Sequence, residues 1–116
     1  MSAATPSGPD RARSTVGEVT VADAPQEHRY EARINDRLAG FVAYVRSPQL
    51  IAFIHTEVED AYEGHGVGST LARAALDDAR AQGLRVVAVC PFISGWLERH
   101  ADYQDLAYEP DSRVKD

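Results

Sequence analysis

A chain of 116 residues with 44% apolar content is sized for one domain around one core. A core that small buries only about two thirds of the unfolded surface, which leaves no material for a separate substrate domain. Its 18 acidic residues outweigh 12 basic ones, for a net charge of −6 with no Lys/Arg run, which argues against nucleic-acid phosphates as a partner.

Cys90 is the one cysteine, so no internal disulfide can form. No apolar run approaches the roughly 18 to 20 residues that a membrane span needs, and the start lacks a secretory pattern. A cytoplasmic protein with no membrane partner is expected.

Residues 1–14 are rich in Ser, Pro, Ala and Arg without apolar periodicity and read as a flexible leader; the domain is expected over 15–109, with 110–116 as a tail. Residues 18–21 carry a weak strand signal. From 28 to 34 the residues alternate, Tyr30, Ala32 and Ile34 against Arg29, Glu31 and Arg33, as in a half-buried strand. Asn35-Asp36 predicts a tight turn. The run 38–46 is apolar on both faces, Ser47-Pro48 breaks it, and 50–58 follows, so three strands form an antiparallel meander. A period of two places Phe53, His55 and Glu57 on one face of the third strand, with His55 and Glu57 side by side.

Past a glycine-rich turn, Val67, Leu71, Ala74, Ala75 and Ala79 recur at helical spacing, Arg73, Asp77 and Arg80 take the outer face, and Gly83 stops the helix. Residues 85–90 form a short apolar strand. Pro91 opens a second helix to about His100, in which Phe92, Trp96 and Leu97 have the spacing of a packing face.

The turn itself, Tyr62-Glu63-Gly64-His65-Gly66-Val67-Gly68-Ser69, stands where a strand hands over to a helix. Backbone N–H groups freed by Gly64, Gly66 and Gly68 can point at an anion beside the positive end of the helix dipole. A flexible strand-to-helix connection would use the same glycines. The Gly-Lys-Ser/Thr ending of a nucleotide-binding P-loop is missing, and a dinucleotide fingerprint starting at Gly64 would need glycine where Ser69 stands. What remains is another diphosphate ligand.

The run 62–75 resembles the acyl-CoA motif of the GCN5-related N-acetyltransferases: Arg or Gln, two residues, Gly, one residue, then Gly or Ala. Gly66 and Gly68 fill the glycine positions, whereas Glu63 stands where the family carries Arg or Gln. From about 29 to 106, the segments RYEARIND, AGFVAY, HTEV, ALDDAR, CPF and LERHADYQDL are similar to a small single-domain branch of that superfamily. The resemblance implies a compact α/β (α+β) fold, a mainly antiparallel sheet with a CoA-binding helix and a C-terminal helix. It implies an N-acetyltransferase that uses acetyl-CoA as cosubstrate, without a metal, and an amine-bearing acceptor, either a small molecule or a protein lysine or N-terminus.

By that resemblance acyl-CoA enters where the strands 50–58 and 85–90 splay, touching Val58, the residues Glu63, Gly64, His65, Gly66, Val67, Gly68 and Ser69, then Cys90, Pro91 and His100. Glu57 becomes the candidate base, with His55 relaying or orienting; a solvated strand-end acid beside a core histidine is the plainer alternative. Cys90, ahead of a helix N-terminus, could accept the acyl group, protonate the leaving thiolate or fill space. Tyr103 could be the acid for the thiolate or an aromatic anchor. His65 could touch phosphate or face solvent. A CoA-binding module without turnover and a pure interaction domain are the two non-enzymatic alternatives.

Overall fold

The structure, a computed structural model, describes residues 14–16 and 18–108. Almost all of the expected leader and the expected tail lie outside these residues; Ser14, assigned to the leader, is the first residue of a strand.

Six strands form one sheet in sequence order: β1 (Ser14–Val16), β2 (Val19–Ala24), β3 (Arg29–Ile34), β4 (Arg37–Arg46), β5 (Leu50–Val58) and β6 (Arg85–Ala88). The first five are antiparallel neighbours, so the meander is two strands longer than the three expected. Asn35 and Asp36 take positive φ of 52° and 66° and close the β3–β4 hairpin as a two-residue turn. Between β5 and β6 the chain crosses over through α1 (Val67–Ala81), making the last pair parallel. Helix α2 (Pro91–Arg99) follows, and a 3-10 segment (Ala101–Leu106) closes the described fold. Among the described residues no helix is long and apolar enough to cross a membrane.

The apolar stripe of α1 lies as its spacing predicts, with Val67, Leu71, Ala74, Ala75 and Ala79 buried and Arg73, Asp77 and Arg80 exposed. The stripe covers one sheet face, where Val21, Tyr30, Val42, Tyr44, Ile51 and Phe53 are buried. On the other face of β4, Phe41 and Ala43 are half-buried and Val45 is exposed. The apolar character of β4 on both faces therefore does not mean cover on both.

A carboxylate interrupts the core. Asp78 on α1 is fully buried and accepts hydrogen bonds from the Tyr30 hydroxyl and from Gln82 Nε2 at 2.8 Å; Gln82 Oε1 in turn accepts from Arg46 Nη1 at 2.9 Å. Burial, then the Asp78 hydrogen bond, pushes the Tyr30 hydroxyl far above the usual tyrosine range, so it stays protonated and donates. Tyr30→Phe removes a donor from a buried carboxylate and should cost about 1–3 kcal/mol of stability, read from the urea midpoint.

Candidate active site

Strand β5 is where the site is assembled. Its parallel pairing with β6 ends at Phe53↔Ala88. There the amides of Val89 and Cys90 both donate to the Phe53 carbonyl, each at 3.0 Å, and the chain turns away into α2 while β5 continues to Val58. The expected strand over 85–90 is thus shorter, because Val89 and Cys90 belong to the divergence. Across the gap, Thr56 Oγ1 lies 3.4 Å from Cys90 Sγ.

A bulge sits at the same place. Ala43 pairs with His55 but Tyr44 pairs with Phe53, so Ile54 is an extra residue in β5. The extra residue reverses the side-chain phase: Phe53 is fully buried against the helices, whereas His55 and Glu57 stand on the opposite face with side chains 56% and 59% exposed. The expectation that Phe53 shares their face is corrected by this bulge. His55 and Glu57 are adjacent as expected, with Nε2 and Oε2 2.8 Å apart. Phe41, cross-strand from Glu57, lies 6.0 Å from the His55 ring, and the Arg29 guanidinium covers Phe41 at 4.5 Å. His55 is therefore a half-exposed partner of a carboxylate and not a core histidine.

At the far end of β5 the glycine turn opens a cleft of about 460 Å³ between itself and α2. Gly64 and Gly66 have φ of 89° and 77°, a backbone region that side chains strain to enter. Gly66 is the N-terminal cap of α1, whose first turn holds no acidic residue. Thr70 makes the first return hydrogen bond, to the Gly66 carbonyl at 3.0 Å, so the amides of Val67, Gly68 and Ser69 have no partner within the helix. Gly68 is needed for a second reason. A Cβ there would lie 2.9 Å from Phe92 Cζ, so any side chain would force that ring to shift. Helix α2 forms the other wall: Trp96 Nε1 donates to Ser69 Oγ at 3.3 Å, and the His100 ring stacks on Trp96 at 3.6 Å. An N-terminus with free amides, a glycine cradle and an aromatic wall fit a diphosphate joined to an organic arm.

Val58, Glu63, Gly64, Gly66, Val67, Gly68, Ser69 and His100, all expected at the cofactor, line this cleft. His65 does not. Its Nδ1 is 2.7 Å from Glu18 Oε2, which ties the turn to the start of β2. Pro91 is exposed as the first residue of α2, and Cys90 is buried at the β5–β6 gap. The Tyr103 hydroxyl, expected as an acid, donates to Asp77 at 2.7 Å and accepts from Arg73 at 3.2 Å, outside the cleft lining. Burial and then the Asp77 hydrogen bond push it above the usual tyrosine range. Its ring meets Trp96 edge-on at 5.0 Å, the contact of an anchor.

Sequence reasoning missed Tyr62, Phe92, Trp96 and Arg99 in the lining. Phe92 and Trp96 were expected in the core; Trp96 is buried and also forms cleft wall, while Phe92 is 37% exposed. Gly68 held a signal for Phe92, since a glycine inside a helical turn is explained by something large lying against it.

The family model for GCN5-related N-acetyltransferases matches residues 29–106, which take in β3 to β6, the glycine turn and both helices. The chain belongs to the GCN5-related N-acetyltransferase family. Among curated proteins it is similar to Protein NATD1 of Mus musculus, 31% identical over 95 residues, covering 79% of this chain and 86% of the relative. Protein NATD1 of Bos taurus is 32% identical over 78 residues, covering 65% of this chain and 68% of the relative. A solution structure of a GCN5-like protein from Staphylococcus aureus has the same fold, with a TM-score of 0.60 at 24% identity, covering 86% of this chain and 98% of that one.

Proposed function

We propose that the chain transfers an acetyl group from acetyl-CoA to an amine by direct attack, with Glu57 as general base. One observation carries this: a single strand, β5, joins the anion-binding turn at its end, the gap holding Thr56 and Cys90, and the exposed His55–Glu57 pair. In this reading the amides of Val67, Gly68 and Ser69 bind the diphosphate, and the unpaired side of β5 beyond Phe53 guides the organic arm toward Cys90. The neutral amine attacks, Glu57 takes the proton its nitrogen sheds as the new bond forms, and His55 holds the carboxylate in position. The amine nitrogen bonds to the acyl carbon, the carbon–sulfur bond breaks, and CoA leaves as a thiolate that is protonated from solvent, with the amine proton held on Glu57. The exposed face carrying Phe41, His55 and Glu57 leaves the acceptor side open, which suits an amine on a bulky partner.

A second reading is favoured by the Thr56–Cys90 contact alone. Cys90 Sγ would take the acetyl group from CoA as a thioester, releasing the CoA thiol, and the amine would then displace Cys90.

Thiol release with acetyl-CoA and a panel of amines, in the native protein and in Cys90→Ala, separates the two. Direct attack predicts that the variant keeps its rate within a few-fold and that intact-mass spectra show no acetyl adduct. An adduct that needs Cys90, with turnover lost in the variant, would select the covalent route. Binding by calorimetry with no thiol release would select a non-catalytic CoA module, and no binding an interaction domain.

A further inference from the structure

We infer that Arg99 is the cation that holds the diphosphate across the cleft, an assignment resting on the acyl-CoA reading of that cleft. The glycine turn supplies backbone N–H groups but brings a carboxylate with them, because Glu63 lines the same cleft. A diphosphate beside Glu63 is repelled unless a positive group faces it. Among the described residues Arg99 is the one Arg or Lys in the lining, and it comes from the opposite wall.

It also lacks a partner, which among the described arginines it shares only with Arg37, at the start of β4 and outside the cleft lining. Arg29, Arg33, Arg46, Arg73, Arg80 and Arg85 each donate a hydrogen bond to a protein acceptor. Among the described residues Arg99 is in no hydrogen bond or ion pair.

Its direction matters as well. A cation in a last helical turn ordinarily serves the carbonyls at the helix end. Here Nη1 would be only 3.3 Å from a Cβ placed on Gly95, so the guanidinium lies one turn upstream, across the spot that Gly95 leaves empty. Glycine inside a helix is unfavourable relative to alanine, and a Cβ at position 95 would displace this guanidinium by a few tenths of an ångström.

Calorimetry with CoA, with dephospho-CoA, which keeps the diphosphate but lacks the ribose phosphate, and with pantetheine, which has neither, tests the assignment. Arg99→Gln should weaken CoA and dephospho-CoA about tenfold or more and leave pantetheine unchanged, with Arg99→Lys in between. Salt should weaken CoA binding by the native protein more steeply than by Arg99→Gln. Equal CoA affinity in the native protein and Arg99→Gln would overturn the role of Arg99, as would equal losses for all three ligands or an effect confined to CoA. A native protein that binds no CoA would instead contradict the reading of the cleft.

Discussion

Glu57→Gln should lower acetyl transfer by about 10²- to 10³-fold while acetyl-CoA affinity stays unchanged. The amide is nearly isosteric and can still meet His55, so the 2.8 Å contact between Nε2 and the side chain at 57 has a replacement and the fold loses little. What it cannot do is take a proton from the amine. Glu57 is also on the opposite sheet face from the half-buried Thr56, its side chain 59% exposed, so its loss leaves the cleft beside the glycine turn intact. A solvated acid with no role would show a rate change below about twofold, given that exposed pairs contribute little. Steady-state rates at saturating acetyl-CoA, with calorimetry for affinity, make the distinction.

Trp96→Ala should cost about 3–5 kcal/mol of stability, a large part of the 5–15 kcal/mol typical of a domain. Trp96 is the largest fully buried side chain, 1% exposed, and it joins three parts of the site. It stacks on His100, meets Tyr103 edge-on and donates to Ser69 in the first turn of α1. Removing it opens a cavity between α1 and α2 and takes away the wall facing the glycine turn. Acetyl-CoA should therefore stabilise the variant less than the native protein at equal ligand concentration. Urea unfolding with and without acetyl-CoA measures both effects, and Trp96→Phe, which keeps the ring contact but loses the hydrogen bond, should fall between.

Much of this arrangement is legible in the sequence because the physics that produces it is local. The α1 stripe follows from 3.6-residue spacing, the β3–β4 hairpin from Asn35-Asp36, and the tight strand-to-helix turn from glycines that take positive φ. The β5 bulge is not legible. Ile54 sits in the apolar run Leu50–Ile54 like any strand residue, and only the register against Tyr44 and Phe53 makes it the extra one. That single residue separates Phe53 from His55 and Glu57, so the two-residue period misassigned one of the three. β1 carries no strand signal and β2 a weak one over 18–21, as Val19 and Val21 owe their burial to partners across the sheet and under α1. Arg99 is not legible either, since nothing in the sequence separates a cation at a helix end from one whose guanidinium lies over Gly95.

An NMR titration of the labelled protein with acetyl-CoA bears most directly on the placement of the cosubstrate. Saturable shifts should concentrate at the amides of Gly64, Gly66, Gly68 and Ser69 and along β5 from Thr56 to Val58, with the Trp96 indole shifting alongside. Absence of shifts at millimolar acetyl-CoA, or shifts that avoid the glycine turn, would contradict the cleft as its binding site.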